Sequence, residues 1–249
     1  MRRNPCSFLP SRRIVLLGSA VLGFAALDRP GLAFAQTATG KLRIGTIGAG
    51  RIGGTVGGLW VKAGHPVMFS AKDLQESKAL ADRLGTLASA GSVAEAIAFG
   101  DVVFLAVPYG AMPEIVRDYG ATLRGKIVLD AGNAVAGRDG AIAAEADRDG
   151  IGLTTQKYLP GARIVRAFNT IGYTILANES GRADPKLPIP IAGDDADAVR
   201  IAAELVRDAG FEPVVAGSLA DARAFQRGGP GYGPSANAAE LREKLRSKP

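Results

Sequence analysis

Three glycines in the spacing G-x-G-x-x-G are the residues of this 249-residue chain whose chemistry is easiest to interpret. Gly48, Gly50 and Gly53 follow the apolar run Leu42 to Ile47. In this pattern the first glycine permits a tight turn, the second lets backbone approach a pyrophosphate, and the third lets a helix pack closely on the strand. The pattern predicts that the phosphates of a dinucleotide rest on the helix N-terminus; a glycine-rich turn without a ligand is the alternative. The predicted binding residues of this loop are Ile47, Gly48, Ala49, Gly50, Arg51, Ile52 and Gly53.

The end of the second predicted strand decides which nucleotide fits. An Asp or Glu there, about 20 residues beyond the glycines, would bind the ribose diol of NAD. This chain has Ser70-Ala71-Lys72 instead. A hydroxyl and an ammonium are suited to a 2′-phosphate, so we expect NADP rather than NAD, with Ser70 and Lys72 as ligands. The alternatives are that Lys72 is only a solvated charge and that Asp73 binds a ribose.

Polar and turn-forming residues also follow three later predicted strands. In a doubly wound sheet the carboxyl ends of the strands share one edge, so these residues are expected beside the glycine loop. Val107, Pro108 and Tyr109 are predicted to line the cofactor. Asn133 and Asn169 are predicted to hydrogen-bond its carboxamide or the acceptor, and Asn169 is the one candidate catalytic residue, as an orienting group. For each, the alternative is a loop residue that satisfies backbone groups.

Other chemistries find little support in the sequence. His65, the single histidine, lies between the first predicted helix and the second strand, and is therefore expected at the opposite edge of the sheet, away from catalysis. No cluster of acidic or imidazole residues predicts a metal site. Hydride transfer between two heterocycles needs chiefly proximity and orientation, with water able to supply a proton. Hydride transfer between two heterocycles is thus favoured over nucleophilic catalysis. It is also favoured over the reaction of a conventional hydroxyacid dehydrogenase, which needs a base.

The elements that must position these residues follow a regular alternation. Short β-branched runs alternate with alanine-rich helical stretches, which predicts an α/β, Rossmann-type doubly wound, mostly parallel sheet in a single domain. The NADP-binding domain is predicted over 41–227, followed by a Gly/Pro-rich segment and a charged tail helix over 228–249. The predicted strands are 42–47, 66–70, 102–107, 127–130, 164–168, 187–192 and 213–216. The predicted helices are 51–63, 74–84, 93–99, 111–119, 196–209 and 238–245.

The first 35 residues have the features of an export signal. Arg12 and Arg13 precede an apolar run from Ile14 to Leu27, which is shorter than the roughly 20 residues that cross a bilayer. The run resembles a twin-arginine signal, which directs folded proteins to the twin-arginine translocase. We expect cleavage between Ala35 and Gln36, a linker over 36–40 and a periplasmic or otherwise exported protein. A mis-assigned start codon and an uncleaved membrane tether are the alternatives.

Removal of this segment changes the composition. It contains five arginines, one aspartate and Cys6, the single cysteine, so the predicted mature chain keeps 25 basic and 23 acidic residues of the original 30 and 24. A net charge of +2 without a basic run predicts no binding to nucleic acid. The mature chain would also have no disulfide, thiolate metal site or cysteine nucleophile.

From Lys41 to Tyr232 the chain resembles the 8-hydroxy-5-deazaflavin (coenzyme F-420)-dependent NADP oxidoreductases. The resemblance implies NADP(H) as the hydride donor or acceptor, a deazaflavin as a candidate co-substrate, a nicotinamide near the ends of the fourth to sixth strands, and a homodimer as one candidate assembly. It rests on the motifs Ile44-Gly45-Thr46-Ile47-Gly48-Ala49-Gly50-Arg51-Ile52-Gly53, Phe104-Leu105-Ala106-Val107-Pro108-Tyr109-Gly110, Asp130-Ala131-Gly132-Asn133, Ala167-Phe168-Asn169-Thr170 and Ala192-Gly193-Asp194-Asp195.

Two departures from that family weaken the deazaflavin interpretation. Relatives usually have Ser-Arg-Arg where this chain has Ser70-Ala71-Lys72, and often a proline where it has Ala134. The expected function is hydride transfer between NADPH and a deazaflavin-like or other small redox acceptor. The alternatives are a non-catalytic NADP-binding sensor or scaffold, and an NADPH-dependent flavin, quinone or ferric reductase.

Overall fold

The structure, a computed structural model, describes residues 40–247. The predicted signal peptide, its cleavage site and residues 36–39 of the predicted linker lie outside the described residues. Within residues 40–247, the structure has no helix with the length and apolar character needed to cross a membrane.

One eight-stranded sheet forms the centre of the described chain. Its strands lie in the order β3-β2-β1-β4-β5-β6-β7-β8. The first six are mutually parallel, β7 runs antiparallel to β6, and β8 runs parallel to β7. This arrangement confirms the predicted Rossmann-type, mostly parallel fold. The strands are β1 Ile44–Ile47, β2 Val67–Ser70, β3 Ala88–Ala90, β4 Val102–Leu105, β5 Ile127–Asp130, β6 Arg163–Arg166, β7 Pro188–Gly193 and β8 Glu212–Gly217.

Helices connect most of the strands, and side chains cap several of them. Asp73 accepts a hydrogen bond from the Gln75 amide at the start of α2, and Ser92 with Glu95 forms a capping box at α3. The helices are α1 Arg51–Lys62, α2 Leu74–Leu84, α3 Val93–Phe99, α4 Met112–Leu123, α5 Ala136–Asp139, α6 Ala141–Asp149, α7 Ile151–Tyr158, α8 Tyr173–Glu179, α9 Ala196–Asp208 and α10 Ala238–Arg246.

An aromatic cluster fills the core on one face of the sheet. Trp60 of α1 packs edge-on against Phe104 of β4 and Phe168 after β6, with ring centroids 5.0 and 5.7 Å apart. The Trp60 indole donates a hydrogen bond of 2.8 Å to the Leu205 carbonyl of α9, which satisfies its buried N–H. These contacts fix α1 and the end of β6 relative to the middle of the sheet.

The structure contains elements that the sequence patterns did not predict. All seven predicted strands occur, but β3 is an additional edge strand, and helices α5 to α8 are also additional. Strand β6 ends at Arg166 rather than at the predicted Phe168, because Phe168 has a positive φ of 60° and turns the chain out of the sheet. The loop after β6 therefore begins two residues earlier in the chain than expected.

The predicted charged tail helix forms as α10, and it packs against the rest of the described chain. Its Asn237 cap accepts a hydrogen bond of 3.0 Å from the Glu240 amide. Leu241 is buried, and Leu245 packs against the small cluster around Phe225. Two leucines at helical spacing thus attach α10 to the protein, while its charged residues stay on the outer face.

Candidate functional site

The carboxyl ends of β1, β4, β5 and β6 meet at one edge of the sheet. The strand order reverses between β1 and β4, and such a reversal leaves a crevice in which doubly wound proteins bind ligands. The loops after these four strands contain most of the predicted site residues. The candidate site is therefore this crevice.

The surroundings of the three glycines in the loop after β1 explain two of them but not the third. Gly48 has φ 98°, and a Cβ there would lie 2.5 Å from the Ala106 carbonyl oxygen. A Cβ on Gly53 would lie 1.7 Å from the Gly48 carbonyl oxygen. Gly50 differs, because its φ of −71° suits any residue and, apart from its two chain neighbours, no described residue lies within 4 Å of a Cβ built there. The fold requires Gly48 and Gly53, whereas Gly50 leaves open space in front of the loop.

The same loop exposes uncapped amides. Gly50 is the N-cap of α1, and no side chain among the described residues caps this helix end or places a carboxylate in its first turn. The first intrahelical bond is 2.7 Å long, from the Gly54 amide to the Gly50 carbonyl. The amides before Gly54 are thus free of intrahelical partners, and together with the helix dipole they favour an anion.

Two predicted residues line the crevice from β4. Val107 is half-buried, and its Cγ1 lies 3.0 Å from the position of a Cβ on Gly48, so it contacts the glycine loop. Pro108 is exposed at the rim. Val107 therefore lies beside the loop that was predicted to bind the phosphates, and Pro108 directly follows it in the chain.

Ser70 and Lys72 have different surroundings at the end of β2. The Ser70 side chain is fully buried, and its hydroxyl donates a 2.8 Å hydrogen bond to the Thr46 carbonyl of β1. This hydroxyl is occupied within the sheet, which corrects the expectation that it offers a ligand to a 2′-phosphate. The Lys72 side chain is 90% exposed, and its Nζ lies 4.0 Å from a Glu114 carboxylate oxygen of α4. Asp73 caps α2, so its carboxylate is also engaged.

Among the described side chains, Lys72 is consequently the one on which we expect the preference for NADPH over NADH to depend most. Replacing Lys72 with alanine is expected to lower that preference about fivefold to fiftyfold, since one exposed charge contact to a phosphate is lost. Titration of both nucleotides measures the ratio. Lys78→Ala, which removes an exposed lysine from within α2, is the matched control and should leave the ratio unchanged. An unchanged ratio in Lys72→Ala would remove Lys72 from the site.

A buried ion pair supports the loop after β5. Asp130 and Arg166 end neighbouring strands in register, and both side chains are completely buried. Arg166 Nη1 donates to Asp130 Oδ2, and Arg166 Nη2 donates to the Gly132 carbonyl at 2.6 Å. Asp130 Oδ1 accepts from the Gly132 amide at 2.8 Å. The pair therefore binds both the amide and the carbonyl of Gly132, the residue immediately before Asn133.

Arg166 was not among the predicted site residues, although the sequence contains a signal for it. An arginine within an otherwise apolar buried strand needs a partner. The neighbouring strand in the predicted sheet ends in Asp130. Pairing the two would have required the register of β5 against β6, which sequence alone does not supply.

Tyr109 extends the same buried network from the loop after β4. Its side chain is buried, and its hydroxyl lies 3.0 Å from Thr155 Oγ1, which donates in turn to Asp130 Oδ2 at 2.8 Å. Burial raises the pKa of the Tyr109 phenol well above its usual value. The ring is directed into the protein by its packing with Met112 and the neighbouring core. Its side chain therefore does not line the crevice, which corrects the predicted cofactor contact and leaves only its backbone at the edge.

Asn133 and Asn169 lie together, as the sequence predicted. Asn133 Nδ2 donates a 2.7 Å hydrogen bond to the Asn169 carbonyl, and Asn169 Nδ2 donates to the Phe225 carbonyl at 3.1 Å. The first bond ties the loop after β5 to the loop after β6, and the second ties the loop after β6 to the helical turn that ends at Phe225. The side-chain oxygen of Asn169 has no hydrogen-bond partner among the described residues, and neither has the Thr170 hydroxyl. Both atoms are buried, so each has an unused capacity to bind a polar group.

The Gly/Pro-rich segment after residue 227 lies against this loop. The Gly233 amide donates a 3.2 Å hydrogen bond to the Thr170 carbonyl, and Arg182 Nη2 donates to the Ala236 carbonyl at 2.6 Å. Tyr232 is partly exposed next to the first of these contacts. The segment is therefore attached to the loop after β6 at Thr170.

His65 lies at the amino-terminal edge of the sheet, as predicted, and away from the crevice. Its Nδ1 is 3.0 Å from the Leu42 carbonyl oxygen, and its Nε2 is 2.9 Å from Asp208 Oδ2. Residues 40–247 also contain no group of three or more His, Cys, Asp or Glu side chains arranged to hold a metal ion. The polar groups that the described site residues offer to a ligand are thus backbone N–H groups, asparagine carboxamides and basic side chains.

The fold and the loop after β1 define a dinucleotide-binding protein of the Rossmann class. Residues 43–134, which include the glycine loop and the first five strands, match the family described as NADP oxidoreductase, coenzyme F420-dependent. A Sinorhizobium meliloti protein of solved structure, SMa0349, is 30% identical, with a TM-score of 0.64 over 76% of this chain and 92% of that one. The chain belongs to the same family as SMa0349, its first five strands match the NADP-dependent oxidoreductases, and it is an enzyme.

Two further comparisons have lower identity. A putative F420-dependent NADP-reductase from Arthrobacter sp. FB24 has the same fold, with a TM-score of 0.62 at 22% identity, over 74% of this chain and 88% of that chain. Metalloreductase STEAP3 of Rattus norvegicus is 27% identical over 188 residues, which are 73% of this chain and 35% of STEAP3. The chain therefore spans about a third of that relative.

Proposed function

We propose that this protein binds NADP(H) in the crevice and transfers hydride between NADPH and a small redox acceptor, with a deazaflavin as the first candidate. Family membership supports the donor and the relation to deazaflavin. The proposal includes export through the twin-arginine route to the periplasm and leaves the homodimer as one candidate assembly.

The observation that carries this proposal is the open space at Gly50. The described fold gives no reason for glycine there, because its backbone is extended and a Cβ would lie more than 4 Å from every described residue other than its two chain neighbours. Glycine at this position is explained by a dinucleotide whose pyrophosphate must approach the backbone of the loop closely. The uncapped amides of α1 and the exposed Lys72 ammonium add positive potential at the same edge.

The described residues fit a reaction whose rate depends on how the nicotinamide and the acceptor are placed relative to each other. When bound, the nicotinamide supplies or accepts the hydride. The Gly48–Gly53 loop binds the phosphates, Val107 and Pro108 line the passage, and Asn133 and Asn169 orient polar groups at the reacting end. The Asp130–Arg166 pair acts through Asn133 and is a positioning pair. Because hydride transfer between two rings is governed by proximity and orientation, the residues need not supply an acid or base.

A ferric chelate is the second candidate acceptor. It is favoured by the similarity to a protein named a metalloreductase, which extends over 73% of this chain. A flavin or a quinone remains a further alternative of the same kind. A non-catalytic NADP-binding sensor or scaffold would bind nucleotide and reduce no acceptor.

Nucleotide retention and turnover test this function together. Protein purified from the periplasm of an expressing host is denatured, and the released ligand is identified by mass spectrometry. We expect NADP(H), because an exported enzyme that meets no free NADPH pool must retain its cofactor. Oxidation of NADPH is then followed at the nicotinamide absorbance with a deazaflavin, a flavin, a quinone and a ferric chelate. Binding without oxidation by any acceptor would favour the scaffold, and millimolar affinity alone would count against NADP(H) as the ligand.

A further inference from the structure

Arg51 and Tyr173 connect the two halves of the crevice. Arg51 is the first residue of α1, directly after Gly50, and Tyr173 is the first residue of α8, after the loop that contains Asn169. The Arg51 guanidinium lies over the Tyr173 ring, with 5.3 Å from Cζ to the ring centroid. This distance is within the range of a cation–π contact. The contact therefore bridges the glycine loop and the loop after β6.

The positive charge of Arg51 is not neutralised by an acidic side chain of the described residues. Within residues 40–247 no carboxylate forms an ion pair with its guanidinium, and the first turn of α1 has no acidic residue. The guanidinium also donates no hydrogen bond to another residue within 40–247, so the contact with the Tyr173 ring leaves its five N–H donors available. Arg51 thus keeps hydrogen-bond donors beside the open space at Gly50.

We propose that the Arg51 side chain binds the diphosphate of the dinucleotide and that Tyr173 is a positioning residue that holds the guanidinium in place. The inference rests on the proposed function and adds a side-chain phosphate ligand to the backbone amides of the loop. A planar guanidinium binds a phosphate through two parallel N–H donors, which a lysine cannot reproduce. Tyr173 lowers the cost of ordering this long side chain.

Four variants separate these roles through their affinity for NADPH, measured by titration calorimetry. Arg51→Ala is expected to weaken binding about tenfold to a hundredfold, and Arg51→Lys is expected to recover only part of the loss. Tyr173→Leu keeps an apolar side chain without the ring and is expected to weaken binding about twofold to fivefold. Tyr173→Phe keeps the ring and should bind as the wild type does.

A double variant shows whether Tyr173 acts on NADPH affinity through Arg51 or only supports the structure. In the Arg51→Ala background, Tyr173→Leu is expected to have no further effect on NADPH affinity, because the residue acts through the guanidinium. Phe99→Leu, which removes the ring near Arg43, is the matched control for loss of a cation–π contact and should leave binding unchanged. Thermal unfolding of each variant checks that the fold is intact.

The outcomes distinguish this inference from the proposed function. A wild-type protein that binds no NADPH would overturn both. A wild type that binds NADPH, with Arg51→Ala equally tight, would overturn the inference alone. Additive losses in the double variant, or tighter binding by Tyr173→Leu, would remove Tyr173 as the positioning residue.

Discussion

Replacing Arg166 with methionine is expected to lower the free energy of unfolding by about 3 to 5 kcal/mol. The substitution leaves the Asp130 carboxylate buried without its cation, and an uncompensated buried charge has a cost of this size. It also leaves the Gly132 carbonyl without the donor that now lies at 2.6 Å. Chemical denaturation with urea measures the change, and the midpoint should fall while the slope stays constant.

A double variant separates the buried charge from loss of packing. Asp130→Asn combined with Arg166→Met removes both charges, and the asparagine oxygen can still accept from the Gly132 amide. We expect the double variant to be more stable than Arg166→Met alone, because the unpaired carboxylate is gone. A loss below about 1 kcal/mol in the single variant would show that the pair does not support the loop before Asn133.

Gly53→Ala is expected to destabilise the protein by at least about 3 kcal/mol, whereas Gly50→Ala should cost no more than about 1 kcal/mol. The reason is the space around each residue. A Cβ at Gly53 would lie 1.7 Å from the Gly48 carbonyl oxygen, so α1 must move away from β1. A Cβ at Gly50 would lie more than 4 Å from the described residues beyond its chain neighbours, and Gly50 is an exposed helix cap.

Thermal unfolding of these two variants, measured side by side, checks the difference. Gly120→Ala within α4 is a suitable control, because a Cβ there would be 3.5 Å from a Val116 side-chain atom, which is ordinary contact. It should be neutral or slightly stabilising. Equal losses at Gly50 and Gly53 would contradict the view that only one of the two glycines is required by the fold.

The sheet and its long helices followed from the sequence because their local signals are strong. The β-branched runs at β1, β4 and β5 are buried on both faces, and α2 and α9 have clear caps and periodic apolar residues. The glycine loop was also identifiable, since its spacing has a specific structural meaning after a strand.

The additional elements have weak local signals. Strand β3 is three residues of Ala-Ser-Ala, all half-buried, which resembles neither a buried strand nor an alternating one. Helices α6 and α7 are interrupted by Gly140 and Gly150, so each is too short for a convincing helical period. Tertiary packing of residues such as Ile142 and Ile151 against the sheet decides these segments.

Side-chain direction limited the prediction of the site. Sequence placed Ser70, Tyr109 and Asn169 at strand ends, but it does not show which way a strand-end side chain faces. In the structure the Ser70 hydroxyl is satisfied by the neighbouring strand and the Tyr109 ring is buried, while Asn169 keeps an unpaired oxygen at the expected edge. Register between strands, which brings Arg166 beside Asp130, is likewise a property of the folded sheet.

The most direct test of the central claim, that a dinucleotide's phosphates dock on the loop after β1, is the NADPH affinity of Gly50→Asp. Aspartate is a favourable helix N-cap, so the variant should unfold at the same or a higher temperature than the wild type. Its carboxylate would occupy the space of the phosphates and repel them. We therefore predict NADPH affinity at least about a hundredfold weaker, with a smaller loss in the neutral Gly50→Ser. A folded Gly50→Asp protein that binds NADPH as tightly as the wild type would contradict the account.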